Sequence, residues 1–165
     1  MDMDGTIIET KSGETFPTNP DDWKFKPHIL NAIRYFMDKD WMLVIITNQA
    51  GANLGFIRPK EIHDKVNEII DNIRLYVGHG KYMYRILFSE NRKPNPIEGQ
   101  LIIEKFPDVQ YLMVGDASGL TRKITKDGKE ELVEDFSDSD KVFAENLGIP
   151  YLDYQEFLKV YAKWK

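Results

Sequence analysis

The chain alternates between two spacings of apolar residues. Short runs of consecutive apolar residues predict buried strands at four places, 41–46, 84–88, 111–114 and 149–152. Apolar residues three and four positions apart predict helices at five others, 28–40, 59–77, 96–106, 138–147 and 154–164. Strands that alternate with helices form a parallel sheet with helices on both faces, which predicts an α/β fold.

Two stretches depart from this alternation. Residues 115–136 show neither spacing and are predicted to form a long loop. At the other end, Met1 alone precedes Asp2, although a central strand normally carries several apolar residues before its carboxyl end. We therefore expect a first strand that is either very short or continued by residues upstream of Met1, and we favour the longer natural chain.

The composition fits a single compact domain spanning residues 1–165. With 42% hydrophobic residues the chain can bury a substantial core. Its net charge of −5 argues against a broad basic surface that binds nucleic acid. No cysteine is present, which excludes disulfides and thiolate metal sites. No apolar run approaches the roughly 18 residues of a membrane span and no signal peptide is visible, so we expect an intracellular monomer without membrane contact.

Two carboxylates, Asp2 and Asp4, stand one residue apart directly before Gly5. Side chains at i and i+2 of a strand point the same way, so both can face one reacting centre while Gly5 turns the backbone away. One carboxylate can attack phosphorus while the other moves a proton, which predicts a phosphoryl-transfer site. The alternative is an acidic turn that merely closes a strand.

Three further candidates follow apolar runs, namely Thr47, Lys93 and Asp116. Open α/β sheets bind ligands at the carboxyl ends of their strands, so these side chains are expected at one edge with Asp2 and Asp4. Carboxylates alone would repel a phosphoryl group, and Mg²⁺ is the hard, oxygen-seeking cation that relieves this repulsion. Lys93 would neutralise further charge, and the Thr47 hydroxyl would hold phosphoryl oxygens.

These residues stand in four motifs whose order resembles that of the haloacid dehalogenase superfamily of phosphohydrolases. The motifs are Asp-Met-Asp-Gly-Thr at 2–6, Thr-Asn-Gln at 47–49, Asn-Arg-Lys-Pro at 91–94 and Val-Gly-Asp at 114–116. The resemblance implies the haloacid dehalogenase-like (Rossmannoid) fold of that superfamily. About 35 residues separate Thr6 from the next predicted strand. This spacing leaves no room for a large cap domain, so the site is expected to stay open to large substrates.

A finer resemblance extends over nearly the whole chain. Thr-Lys-Ser-Gly at 10–13, followed by Phe-Pro-Thr-Asn-Pro-Asp-Asp-Trp at 16–23, is similar to the phosphatase domain of polynucleotide kinase 3′-phosphatases. The likeness continues through 135–137, Asp140 and 146–150. It implies an Mg²⁺-dependent polynucleotide 3′-phosphatase that forms an aspartyl-phosphate and cleans DNA 3′ ends for repair. The implied partners are DNA 3′ ends and DNA repair proteins, with a nuclear location if the source is eukaryotic.

The resemblance also implies a role for each motif residue. Asp2 would be the nucleophile, and Asp4 would protonate the leaving oxygen and later activate water. Asp2, Asp116 and the backbone carbonyl of Asp4 would hold Mg²⁺. Thr47 and Lys93 would bind the phosphoryl group that is transferred.

Five more residues complete the set implied by this resemblance and by the sequence around it. Asn48, Gln49 and Arg92 are expected to contact the substrate. Asp140 either returns across the loop to the metal site or merely begins a helix. Phe16 is an aromatic residue that can stack on a nucleotide base near an open site. The nearby Trp23 is predicted instead to pack beneath the loop as a small satellite core.

Two other functions stay open. One is a nearly capless phosphatase of a small metabolite such as histidinol phosphate or a heptose bisphosphate, although such relatives commonly carry a cysteine-rich zinc loop that this chain lacks. The other is an inactive scaffold domain, which has no need of the charge arrangement of Asp2, Asp4 and Lys93. No G-x-x-x-x-G-K-[ST] loop occurs in the sequence, so nothing predicts kinase activity.

Overall fold

The secondary structure of the chain, taken from a computed structural model, largely follows the predicted alternation. The structure describes residues 1–14, 17, 19–49, 58–126 and 129–162, with only the backbone described for 122–126. The strands are β1 (Ile8–Glu9), β2 (Lys24–Phe25), β3 (Met42–Asn48), β4 (Lys81–Leu87), β5 (Met113–Gly115), β6 (Thr121–Lys126), β7 (Lys129–Glu134) and β8 (Tyr151–Asp153). The helices are α1 (Ile29–Met37), α2 (Pro59–Val77), α3 (Ile97–Lys105), α4 (Ser139–Leu147) and α5 (Tyr154–Tyr161), with a short 3₁₀ helix at Ser89–Asn91.

Parallel strands form the centre of the molecule. β3 pairs with β4, and β5 pairs with β8. Met1 and Asp2 join these two pairs, because Ile46 N–H donates to the Met1 carbonyl at 2.9 Å and Asp2 N–H donates to the Val114 carbonyl at 2.9 Å. The strands therefore lie in the order β4, β3, residues 1–2, β5 and β8.

Helices cover both faces of this sheet. Along β3, Leu43 and Ile45 pack in one hydrophobic cluster with α1, α2 and α5, whereas Val44 and Ile46 pack in a second cluster with α3 and α4. The alternation follows from the two-residue period of a strand, which sends successive side chains to opposite faces. The predicted α/β fold with helices on both faces is confirmed.

The ends of α2 show why this segment is helical. Pro59 occupies its first turn, where a missing N–H costs no hydrogen bond, and Glu61 accepts a hydrogen bond from Arg58 N–H at 3.0 Å. The helix ends at Gly78, which adopts a left-handed φ of 85°. Neither this 19-residue helix nor any other described helix is long and apolar enough to cross a membrane.

The predicted long loop at 115–136 was wrong. The segment contains an antiparallel hairpin of β6 and β7, in which Thr121 pairs with Glu134 and Lys126 pairs with Lys129. Every residue of β7 is exposed, so the hairpin pairs its backbone without burying that strand. Hydrophobic spacing indicates burial, and an exposed strand such as β7 therefore leaves no apolar pattern in the sequence.

Trp23 lies beside a short strand pair, β1 and β2, that the sequence did not predict. Ile8 pairs with Phe25, and the Trp23 ring packs edge-on against Phe25 with ring centroids 5.5 Å apart. Trp23 is buried in the same cluster as the apolar faces of α1 and α2. Its predicted packing role is confirmed, although it packs in the main core and not in a satellite.

An apolar cavity of about 480 Å³ lies at the amino ends of the central strands. Val44, Met113 and Phe143 are among the residues that line it, whereas none of the candidate catalytic side chains does. The cavity is therefore separate from the carboxyl edge of the sheet, where the chemistry is expected.

We expect Ile69→Ala and Leu75→Ala to distinguish the two faces of α2. Ile69 is fully buried, whereas Leu75 is 84% exposed. Ile69→Ala removes packed methyl groups and should lower the free energy of unfolding by ~2–5 kcal/mol, while Leu75→Ala should change it by less than ~0.5 kcal/mol. Urea unfolding followed by circular dichroism measures both values, and equal losses would contradict this assignment of the helix faces.

Candidate active site

Side chains from four distant segments meet at the carboxyl edge of the sheet. Asp2 lies in the central strand position, Asp116 follows β5, and Asp140 lies in the first turn of α4. The ammonium nitrogen of Lys93, which follows the 3₁₀ helix after β4, lies 2.6 Å from Asp2 Oδ1 and 2.6 Å from Asp140 Oδ1. Carboxylate oxygens of Asp2, Asp116 and Asp140, which we call the acidic cluster, lie within 4.8 Å of one another.

Asp140 takes the first of the two roles that the sequence left open. Its buried side chain accepts a hydrogen bond from Ala117 N–H at 3.2 Å in addition to the contact with Lys93. The residue that precedes the first turn of α4 is Asp138, so Asp140 is not needed to begin the helix. Asp140 therefore returns past the β6–β7 hairpin to the acidic cluster.

Two glycines allow the carboxylates to approach the backbone. A side chain at Gly5 would place its Cβ 2.1 Å from Asp116 Oδ2, and Gly5 also adopts a φ of +84° that other residues rarely take. A Cβ at Gly115 would lie 2.2 Å from Asp140 Oδ2. Glycine is therefore the residue that fits at both positions.

The acidic cluster carries more negative charge than Lys93 alone neutralises. Burial raises the pKa of Asp2 against the opposing attraction of Lys93, and the other two acids of the cluster raise it further. Burial and the nearby Asp140 raise the pKa of Asp116 to about 6, although Lys26 opposes them. Burial disfavours the Lys93 ammonium, but the carboxylates of Asp2 and Asp140 outweigh that effect and raise the pKa of Lys93.

This excess of charge gives the acidic cluster the chemistry of a site for a hard divalent cation. Its carboxylates supply the oxygen ligands that Mg²⁺ prefers, and a bound cation would relieve their mutual repulsion. The predicted ligands Asp2 and Asp116 both belong to the cluster, and Asp140 joins them. The side chain of Asp4 does not belong to it, so the predicted contribution of the Asp4 backbone carbonyl stays a prediction.

Asp4 is held by a different set of partners. Its Oδ2 atom accepts a hydrogen bond from Gln49 Nε2 at 2.6 Å and from the Thr47 hydroxyl at 3.4 Å. Its Oδ1 atom lies 3.1 Å from Lys65 Nζ. Asp2 and Asp4 thus face separate cationic side chains, which allows the two carboxyl groups to perform different tasks.

The remaining predicted site residues differ in what they contact. Asn48 Nδ2 donates to the Lys93 carbonyl at 3.1 Å, and Lys93 N–H donates to Asn48 Oδ1 at 2.8 Å, so Asn48 positions Lys93. Arg92 is exposed, and its Nε donates to the Ser89 carbonyl at 3.1 Å. Substrate contacts of Asn48, Gln49 and Arg92 stay predictions. Phe16 lies outside the described residues.

Lys65 is the site residue that the sequence reasoning missed. It lies on α2 within the apolar stripe that contains Ile62, Val66 and Ile69, and it is buried with them. A charged residue at a core-facing helical position is unusual unless it is paired. That departure from the pattern was visible in the sequence and could have identified Lys65.

The chain matches one known family over nearly its entire length. Residues 1–158 match the family described as polynucleotide kinase 3 phosphatase. The chain belongs to this family. An uncharacterised 20.8 kDa protein of Autographa californica nuclear polyhedrosis virus is 31% identical over 97% of this chain and 84% of its own length. The bifunctional polynucleotide phosphatase/kinase of Schizosaccharomyces pombe is 25% identical over 95% of this chain, which spans 36% of that protein.

A solved structure is similar to this polynucleotide kinase 3 phosphatase family member. The D,D-heptose 1,7-bisphosphate phosphatase of B. bronchiseptica, complexed with magnesium and phosphate, has a TM-score of 0.65 and 18% sequence identity. The likeness covers 92% of this chain and 77% of that chain. A putative haloacid dehalogenase-like phosphatase of Mesorhizobium loti has a TM-score of 0.60 and 18% sequence identity over 98% of this chain and 81% of its own. At these identities both structures show the fold alone, and the predicted haloacid dehalogenase-like fold is confirmed. The family match identifies the chain as a phosphatase, and the solved structures show that its fold is haloacid dehalogenase-like.

We expect Asp116→Asn to stabilise the metal-free protein at pH 7 and to have little effect near pH 4. The pKa of Asp116 is raised in the folded protein from 3.8 to about 6. Between these values the folded protein binds more protons than the unfolded chain, so its stability falls as the pH rises. Asparagine carries no charge and removes that loss. Thermal unfolding in EDTA across this pH range measures the difference between the variant and the wild type.

Asp64→Asn is the matched control for this measurement. The Asp64 side chain is 64% exposed and lies outside the acidic cluster, so its replacement should give no comparable change with pH. A stabilisation by Asp116→Asn that is larger at pH 4 than at pH 7 would contradict a raised pKa of Asp116 in the folded protein.

Proposed function

We propose that the protein is an Mg²⁺-dependent polynucleotide 3′-phosphatase that acts on DNA 3′ ends through an aspartyl-phosphate intermediate. The observation that carries the chemistry is the separation of two carboxyl groups, Asp2 beside Lys93 and Asp4 beside Lys65. The first pair suits a nucleophile, and the second suits a group that moves a proton. The family match over residues 1–158 supports the class of substrate.

Asp2 and Asp4 act together in the first half of the proposed reaction. An Asp2 carboxylate oxygen forms a bond to phosphorus while the bond from phosphorus to the 3′ oxygen breaks. The leaving oxygen keeps the electron pair and takes a proton from Asp4. Lys93 and Thr47 hold the phosphoryl oxygens during this transfer. Mg²⁺ bound by Asp2, Asp116 and Asp140 would supply further neutralisation of the phosphoryl charge.

The second half of the reaction restores both carboxyl groups. Water attacks phosphorus and gives a proton to Asp4, which the first half left as a carboxylate. The bond between phosphorus and the Asp2 oxygen breaks, so inorganic phosphate leaves and Asp2 is again a carboxylate. The proton balance closes, because Asp4 takes from water the proton that it gave to the leaving oxygen.

The openness of the site supports a large substrate. The described part of the segment between Thr6 and α1 contains the short pair β1 and β2 and no separate domain. The Asp4 side chain is 42% exposed, although it contacts the buried Lys65. A proton donor at an open edge can reach the end of a long strand, whereas a closed pocket admits only small molecules.

A phosphatase of a small sugar phosphate is the second candidate. The observation that favours it is the likeness of the fold to the heptose bisphosphate phosphatase of B. bronchiseptica, at a TM-score of 0.65. Both candidates use the same carboxyl groups, so substrate assays must decide between them.

We expect the protein to release phosphate from a single-stranded DNA oligonucleotide with a 3′-phosphate and far less from the same oligonucleotide with a 5′-phosphate. Release should require Mg²⁺ and stop in EDTA, because the acidic cluster then repels the phosphoryl group. Asp2→Asn should lower the turnover number by at least about 10³-fold, since an amide is a poor nucleophile. Colorimetric phosphate release measures each rate.

The matched control is Asp71→Asn, because the Asp71 side chain is 67% exposed on α2 and should leave the rate unchanged. A heptose bisphosphate is assayed alongside the oligonucleotides. Release from that sugar phosphate alone would overturn the proposal in favour of the second candidate. Release from none of the three substrates by a folded protein would overturn both.

A further inference from the structure

Asp4 is bound on two sides, by a residue at the end of β3 and by a residue of α2. From the end of β3, Gln49 Nε2 donates to Asp4 Oδ2 at 2.6 Å. From α2, Lys65 Nζ contacts Asp4 Oδ1 at 3.1 Å. Each carboxylate oxygen thus has its own donor, which fixes both the position and the rotation of the carboxyl group.

The buried position of the Lys65 ammonium among apolar residues is destabilising by itself. Its side chain is only 9% exposed, and its neighbours on the same stripe of α2 are the buried residues Ile62, Val66 and Ile69. An ammonium removed from water is destabilising unless a carboxylate compensates it, and an apolar residue of similar volume usually packs at least as well. Asp4 is the acid that pairs with Lys65 within the described residues. The presence of a lysine at this position is therefore better explained by its ion pair with Asp4 than by its packing in the core.

We propose that Lys65 is a positioning residue that holds the Asp4 carboxyl group at the place where it meets the leaving oxygen. This inference rests on the proposed function, in which Asp4 gives the proton. Lys93 thus serves the nucleophile Asp2 and Lys65 serves the acid Asp4, so each of the two reacting carboxyl groups has its own buried lysine. Without Lys65 the Asp4 side chain can rotate towards solvent, and proton transfer loses its fixed short path.

The test compares two leaving groups in the variant Lys65→Met, which keeps an unbranched apolar side chain in the stripe. A 3′-phosphorylated oligonucleotide needs a proton on its leaving alkoxide, whereas p-nitrophenyl phosphate releases a stable phenolate without one. The rate of leaving-group release in a single turnover, with enzyme in excess, reports the first half-reaction alone. We expect Lys65→Met to slow the oligonucleotide reaction by about 10²-fold and the p-nitrophenyl phosphate reaction by less than about 5-fold.

Three further variants separate positioning from a structural effect. Lys60→Met, at an 87% exposed position on the same helix, should leave both rates unchanged. Lys65→Arg keeps the positive charge and should recover most of the lost oligonucleotide rate. Lys65→Met combined with Asp4→Asn should be no slower than Asp4→Asn alone, because the lysine acts through that carboxyl group.

The possible results distinguish this inference from the proposed function. A wild-type protein that releases phosphate from neither the oligonucleotide nor p-nitrophenyl phosphate overturns the proposed function. An active wild type whose Lys65→Met variant slows both substrates equally, or slows neither, overturns the role of Lys65 and leaves the function standing. Both rates are measured well below the thermal midpoint of Lys65→Met, so that unfolding of the variant contributes to neither.

Discussion

The ion pairs of the buried Lys93 hold the whole site together. Its ammonium contacts Asp2, which lies 91 residues earlier in the chain, and Asp140, which lies 47 residues later. One charge therefore ties the central strand position to the segment after β4 and to α4. An ammonium withdrawn from water needs carboxylates around it, so these elements must already be in place when the pairs form. The site is for this reason a property of the completed fold and not of any single segment.

The acidic cluster lowers the stability of the folded protein. Lys93 could be neutralised by one carboxylate, yet three acids lie within 4.8 Å of one another, and Gly5 and Gly115 make room for two of them. Burial in this cluster, and after it the nearby Asp140, raise the pKa of Asp116. Without a bound cation, the surplus negative charge does not stabilise the folded protein. A loss of stability at a reactive site is a common consequence of function. The surplus is therefore the charge that a bound cation would neutralise.

Site residues could be predicted from the sequence where they follow a buried strand, because such a strand is visible as a run of apolar residues. Thr47 and Asp116 end apolar runs, so their place at the sheet edge follows from hydrophobic spacing alone. It left Asp140 undecided, because β7, which lies between this residue and Asp116, is exposed and gives no apolar signal. It missed Lys65, because a lysine is taken as solvent-facing unless its neighbours on the helix are inspected as a set. Lys65 was therefore within reach of the sequence, whereas the place of Asp140 depends on tertiary contacts that spacing along the chain does not contain.

Substrate choice must come from outside the carboxyl groups. Attack on phosphorus and proton transfer are the same for a sugar phosphate and for a DNA 3′ end, so the acidic cluster does not distinguish them. Two antiparallel strand pairs begin within a few residues of the site. The pair β1–β2 begins after Asp4, and the pair β6–β7 begins after Asp116. The second is fastened at its base, because Asp135 accepts hydrogen bonds from Ser118 N–H and Leu120 N–H. With no separate cap domain in the described part of the chain, these two strand pairs are the described segments that follow Asp4 and Asp116 most directly. Residues beyond the carboxyl groups must therefore carry any difference in substrate between phosphatases that share this chemistry.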